Sequence, residues 1–437
     1  MNTTTESGSL ERVVGPAALG LNIVNLTVAS GIFALPALVA ASLGREAVLA
    51  YLVCAVLFGL VGMCFAEAGS RVGSAGGLYA YATTSFGPVA GGVVGNVGWF
   101  AGGAAADAAI VNLLFDTLST VMPVLAETWI RAIFMLVLFA VVAAVNIRGV
   151  RHGVRLSVLL TIIKIAPLVI LVLAGVFFID PSQLRWTEFP PLKSIGAASV
   201  ATFYTFMGME AALSMSGEVV RPSRTVPRGI LIGLAIIATL YIAVQLVTQG
   251  TLGAALAGSK TPVVDAARII FGPWGGALLV AALALSASGC IAADVLSTPR
   301  ILFALAERGQ LPRKVAAVHP RFGTPAVAIT VYAVVCAALA ISGSFQLMLI
   351  LSSSGVLFTY LICCLGILRL RALGITHDME TFVVPGGPVV PILAAVIIIW
   401  MLGSLSTREL LAAGIAVAVV ALIYGITSKR NSSSHPG

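Results

Sequence analysis

Charge is the scarcest ingredient of this 437-residue chain: 10% of its residues are Asp, Glu, Lys or Arg, against about 25% in soluble domains. With 59% hydrophobic residues and a mean hydropathy of +1.06, that scarcity excludes an ordinary soluble fold. Histidine is sparse as well. His152, His319, His377 and His435 all fall in loops or the tail, and no HExxH or GxSxG stretch occurs, which argues against an enzyme. Cys54, Cys64, Cys290, Cys336, Cys363 and Cys364 lie inside apolar runs without metal-ligand company or a loop pair to bridge. They read as small packing residues, so neither a metal nor a cofactor is expected. The opening MNTTTESGSLER lacks the pattern of a signal peptide.

What the chain has in abundance is long apolar runs, each near the 20 residues that cross a bilayer as helix. Twelve are expected, at about 19–43, 47–69, 89–121, 130–147, 154–179, 195–218, 229–252, 274–305, 325–342, 345–369, 389–404 and 410–427. The fold class is therefore an all-α integral membrane protein, multi-pass in the cell (inner) membrane, with lipid as its surroundings. The net charge of +8 does not point to nucleic acid; it follows the excess of Lys and Arg on the cytoplasmic side of membrane proteins. With both termini cytoplasmic, seventeen Lys and Arg fall inside and seven outside, leaving Lys164 within a span.

Two of the runs are interrupted at their centres. The first carries Ala29-Ser30-Gly31-Ile32-Phe33 with Pro36 just beyond, and the sixth carries Phe206-Met207-Gly208-Met209-Glu210. Backbone left unpaired within a membrane is tolerated only where it lines a cavity or is buried in protein. Interrupted spans at matching places in two halves point to a transporter's binding site. The division that follows is a cytoplasmic segment 1–18, a first inverted repeat 19–180 of helices 1–5, and a second 194–369 of helices 6–10. Helices 11–12 (389–427) and a disordered cytoplasmic tail 428–437 complete it. This is a twelve-helix, five-plus-five inverted repeat with discontinuous helices 1 and 6.

The chain resembles the amino acid–polyamine–organocation (APC) superfamily of permeases over nearly its whole length. Ala29-Ser30-Gly31-Ile32-Phe33-Ala34-Leu35-Pro36 is similar to the family's first-helix unwinding, with Ala29 where Gly is commoner. Gly76-Gly77-Leu78-Tyr79-Ala80-Tyr81, Phe86-Gly87 and Gly98-Trp99 resemble the block leading into the third helix. Phe206 to Glu210, Gly217-Glu218 and Pro222 to Arg228 resemble the sixth-helix core and its cytoplasmic exit. Arg308-Gly309-Gln310-Leu311-Pro312, His319-Pro320-Arg321 and Gly323-Thr324-Pro325 resemble the loop after the eighth helix. The resemblance implies transport of an amino acid or amine by alternating access.

Half-helix N-termini favour a carboxylate, and freed carbonyls at opposing half-helix ends suit an ammonium. Backbone around Ser30, Gly31 and Ile32 is the expected carboxylate site. Carbonyls near Val28, Phe203 and Phe206, beside Gly208, are the expected ammonium site. Phe203, Phe206 and Glu210 fall at i, i+3 and i+7, on one helix face. An aromatic covers the substrate in the resembled family, which makes Phe203 or Tyr204 the expected gate. Lys164 is the only Lys or Arg deep within a span, and such a group is functional by default. In related permeases a fifth-helix Lys stands where sodium-coupled relatives hold the ion, so sodium-independent transport is expected, proton-coupled or by exchange. Lys164 either relays protons or ties the fifth helix to first-helix carbonyls. Asp107, Glu210 and Asp294 also lie within spans. They can neutralise Lys164, carry protons (Glu210 foremost), or bind a cationic side chain; Asp107 and Asp294 match substrate-side positions of the resembled family. A cationic amino acid or a polyamine is thus one option, and a sensor or channel on the same scaffold is another. Glu218 with Arg221, Arg224 and Arg228 can form an inner ionic cluster or merely follow the positive-inside rule. Residues 261–271 read as a short external helix.

Overall fold

The computed structural model describes residues 15–72, 77–148, 154–210, 219–376, 381–415 and 418, with backbone alone at 154–163 and 222. Glu218 and His377 lie outside the described residues. Helices account for the architecture, and no strand forms among the described residues. In chain order they are α1 (Pro16–Thr27), α2 (Leu35–Leu43), α3 (Val48–Val72), α4 (Gly77–Phe86), α5 (Pro88–Val97), α6 (Ala106–Ser119), α7 (Thr128–Ile147), α8 (Val154–Gly175) and α9 (Leu192–Phe203). Then follow α10 (Pro222–Leu252), α11 (Pro262–Phe271), α12 (Pro273–Ser297), α13 (Pro299–Glu307), α14 (Ala326–Ser342), α15 (Phe345–Ala372), α16 (Val389–Gly403) and α17 (Thr407–Ile415).

Six of these stretches are long and apolar enough to cross a bilayer unaided: Val48–Val72, Pro88–Ser119, Thr128–Ile147, Ser223–Gly258, Pro273–Glu307 and Phe345–Ala372. Lys164–Phe178 and Ala326–Ser342 are shorter apolar helices among the described residues. The first expected run is split between α1 and α2, and the last two form a pair bent by 113° between α16 and α17. Proline marks many of the starts: Pro16, Pro36, Pro88, Pro222, Pro262, Pro273 and Pro299 sit in first turns. There the missing N–H removes no helical bond and the fixed φ suits the helix. The short helix expected at 261–271 is α11.

The most intimate pairing is α1 against α10. A Cβ on Gly20 would meet Ile232 at 2.8 Å, one on Gly229 would meet Leu19 at 2.8 Å, and one on Gly233 would meet Ile23 at 2.9 Å. Small residues therefore bring the two backbones close along the length of α1. α10 packs in turn on α3, and α3 on α9. α5 and α6 are joined by a π-helical stretch, Gly98–Ala105, that lies against α15. Single π turns inside helices recur at functional sites, and this one delivers Ala106 and Asp107 to the interior. The turns at the two interrupted spans touch each other at the centre of this assembly, with α6 and α12 beside the first.

Candidate functional site

The first interruption begins where α1 ends. Val28 is extended (φ −74°, ψ 95°), Ala29 is extended, and Ser30–Phe33 form a tight 3-10 turn before α2. The first N–H groups of such a turn, on Ser30 and Gly31, have no partner within it, and the cap residue Ala29 has no side-chain acceptor to offer them. Ser30, Gly31, Ile32 and Val28 are all buried. Two of the carbonyls stranded at the end of α1, those of Asn25 and Thr27, are met by donors from other helices. Lys164 Nζ donates to the Asn25 carbonyl. Tyr241 Oη lies 3.1 Å from the Thr27 carbonyl, and the Leu26 carbonyl lies against Gly208.

At the second interruption α9 tightens into a 3-10 turn over Tyr204–Phe206, Met207 is extended, and Gly208 takes φ 116°. That dihedral is open to glycine and costly for any residue with a Cβ. The backbone turns here, so the expected continuous face through Phe203, Phe206 and Glu210 does not exist: Glu210 lies beyond the break. Its Oε2 accepts from the Gly208 N–H at 3.1 Å and from Tyr360 Oη at 2.5 Å. Phe203 is fully buried, edge-on to Tyr360 at 5.5 Å. Phe206 is buried between Tyr241 and Phe58. Tyr204 faces the first break instead: a Cβ on Gly31 would meet its ring at 2.9 Å, and its hydroxyl donates to the Ala106 carbonyl at 2.9 Å.

The acids divide between two places. Asp107 is 0% exposed; its Oδ2 accepts from Tyr332 Oη at 3.0 Å, while Oδ1 has no partner. The Asp294 carboxyl is close enough to Asp107 to interact electrostatically, and α6 packs on α12. Asp294 is half-buried. Cys290 stands near both acids and near Lys164. Glu210 is close enough to Asp294 to interact electrostatically but is held by Tyr360, toward α15. Asp116, further along α6, pairs with Arg131 at 2.5 Å. Among the described residues no three His, Cys, Asp or Glu side chains are grouped to hold a metal.

Two functional-looking groups escaped sequence reasoning. Tyr241 on α10 reaches the Thr27 carbonyl at 3.1 Å and the Thr205 carbonyl at 2.9 Å, so one hydroxyl proton is shared between the two interruptions. A fully buried tyrosine on an apolar helix looks like core, and only its distance from the breaks reveals it. The second is Glu67, 0% exposed near the end of α3. It accepts from Arg71 at 2.8 Å, from Arg371 at 2.6 and 2.8 Å, and from the Val384 N–H at 2.8 Å. Ser70 adds a two-way exchange with the backbone of Phe382. An ionic cluster lies here, on α3 and α15; the one expected at Arg221, Arg224 and Arg228 involves Glu218, which is outside the described residues.

Interrupted apolar helices meeting at a shared centre, with buried charged groups around them, define a multi-pass membrane transporter. A family model described as an amino acid permease matches residues 17–373. The chain belongs to this amino acid permease family of the APC superfamily. It is 28% identical to the serine/threonine exchanger SteT of Bacillus subtilis, across 98% of this chain and 100% of that one. It is 26% identical to the methylthioribose transporter of the same organism, across 99% and 96%. A vacuolar cationic amino acid transporter 4 of Arabidopsis thaliana is 26% identical, across 79% of this chain and 61% of its own. The family and these relatives are transporters, not enzymes, and amino acid transport is the general activity they support.

Proposed function

We propose that the protein is a secondary active transporter that moves an amino acid, or a related amine, across the cell membrane by alternating access, without sodium. Its substrate lies between the two interruptions. The α-carboxylate takes the N–H groups of Ser30, Gly31 and Ile32, where the half-helix N-terminus places partial positive charge. The α-ammonium takes carbonyls near Val28, Phe203 and Phe206, beside Gly208. Tyr204 is the better placed of the two gate candidates, because its ring rests on Gly31 while Phe203 is packed against Tyr360. The single observation that carries the reading is the convergence of both breaks on Tyr241, which holds their carbonyls in one frame.

The full architecture in this reading is twelve spans in a five-plus-five inverted repeat, with both termini cytoplasmic. Lys164 places an ammonium at the end of α1; a sodium ion beside it would face a donor already occupying the carbonyl. Coupling is therefore to protons or to a counter-substrate, with Lys164 and Glu210 as the groups that move a proton. A cationic substrate is a second reading, and the Asp107–Asp294 pair favours it: a guanidinium or ammonium side chain would satisfy the unpartnered Asp107 Oδ1. The test is counterflow in proteoliposomes loaded with each amino acid in turn, preceded by a thermal-shift screen of amino acids and amines. Trans-stimulated uptake that ignores a sodium gradient is expected. Uptake driven by sodium at fixed pH refutes the role given to Lys164, and unsaturable flux without trans-stimulation refutes a carrier.

A further inference from the structure

α10 carries a polar face that continues from Tyr241 away from the substrate site. Tyr241, Gln245 and Gln249 recur every fourth residue, so they lie on one face of the helix. They are 0%, 0% and 4% exposed. At the end far from the breaks, Gln249 Nε2 donates to the carbonyls of Arg45 at 2.9 Å and Gln183 at 3.2 Å. Those two acceptors fix the orientation of its amide. Its Oε1 must then point toward Gln245, whose Nε2 donates to it at 3.1 Å. Gln245 is oriented in turn, and its Oε1 is left buried without a donor.

A matching deficit lies across the helix interface. Gly59 on α3 abuts Leu234, and Gly62 abuts Ile230, which fixes an antiparallel register between α3 and α10. Carrying that register toward the start of α3 brings Tyr51 opposite Tyr241. Its side chain leans back toward the start of its own helix, toward the level of Gln245. Tyr51 is 0% exposed, and its hydroxyl has no partner. One deficit is an acceptor and the other carries a proton. A guest that only accepts or only donates cannot satisfy both; a metal cation would leave the Tyr51 proton stranded. Water does both, and buried water characteristically binds such pairs of groups.

We propose that a water molecule is bound between Tyr51 and Gln245, accepting from the Tyr51 hydroxyl and donating to Gln245 Oε1. Its second proton is directed to Tyr241 Oη, whose own proton is committed to the Thr27 and Thr205 carbonyls and whose lone pairs are unused. The result is a hydrogen-bonded file from the Arg45 and Gln183 loops to both helix interruptions. It moves no charge and makes the loop contacts and the geometry of the breaks one cooperative unit.

The experiment is a double-mutant cycle on the purified full chain, with Tyr51→Phe, Gln245→Met and the pair, read as melting temperature. Each single variant is expected to melt about 2–4 °C lower, and the double variant no lower than the worse single, because either change already releases the water. Additive losses overturn the proposal, since independent sites add. A second arm exchanges sodium, potassium and choline at constant ionic strength. An unchanged melt is expected, and a cation-specific rise that Gln245→Met abolishes overturns water in favour of an ion. If the variants fail to fold, a high-resolution density map of the native protein decides. A peak within hydrogen-bonding distance of Tyr51 Oη and Gln245 Oε1 is expected; direct contact between them, or an empty gap, refutes it.

Discussion

Gly208→Ala tests the central geometry most directly, because two separate penalties can be read from the structure. Gly208 has φ 116°, a region where a Cβ costs about 1–2 kcal/mol. The added methyl would also sit 2.7 Å from the Leu26 carbonyl oxygen, 3.0 Å from its carbon and 3.3 Å from Thr27 Cα. These are backbone atoms of the other interrupted span, so no rotamer change relieves the clash and the two breaks must separate. Overpacking of this kind costs about 1–3 kcal/mol, which brings the total to roughly 2–5 kcal/mol. The assay is a detergent melt together with the concentration dependence of uptake. Gly414→Ala, in α17 with nothing within 4 Å, serves as the control and should melt no lower than the parent. A Gly208→Ala protein with native melting temperature and native KM would mean that the interruptions are not held against each other as described.

Four further outcomes follow from the same contacts. Tyr241→Phe strands the Thr27 and Thr205 carbonyls at a cost of about 1–3 kcal/mol, expected as a raised KM in uptake assays; an unchanged KM refutes the clamp. Lys164→Met removes a charged donor from the Asn25 carbonyl, a bond worth about 1.5–3 kcal/mol, and should lower uptake about tenfold or more without introducing sodium dependence. Glu67→Gln leaves Arg71 and Arg371 facing each other without their counter-charge and should lower stability by about 3–5 kcal/mol, measured by thermal melt. Asp180 accepts from the Ser182 N–H and hydroxyl, which hold its carboxyl below the usual carboxylate range. A depressed pKa contributes stability above the ordinary Asp value and loses it as pH falls through the folded one. The 180–184 turn should therefore loosen only in acid, by limited proteolysis, and Asp180→Asn should remove that pH dependence.

The interruptions were legible because glycine, serine and proline inside an apolar run have few other uses in a membrane. Gly31 and Gly208 are found where the sequence places them. Legibility failed wherever the answer depended on depth or partner. Helical periodicity put Glu210 on a face with Phe203, but periodicity holds only along an unbroken helix, and Gly208 ends it between them. Asp107 and Asp294 could be recognised as costly residues; that they face each other depends on how α6 packs on α12, which neither segment encodes alone. Glu67, near the end of a span, reads as an ordinary boundary residue until Arg371, some three hundred positions later, is brought beside it. Run lengths suggested twelve spans; among the described residues six helices meet the length on their own, and the interruption between α1 and α2 divides the first run into two short helices.

The close fit of Gly20, Gly229 and Gly233 restricts how such a protein can change shape. If α1 swung out alone, it would leave a slot along its whole length, and a dry slot forfeits every dispersion contact on both walls. The economical motion keeps α1 and α10 together as one lever. Its fulcrum then falls at residues 28–29 and 207–208, where the backbone leaves the helical conformation.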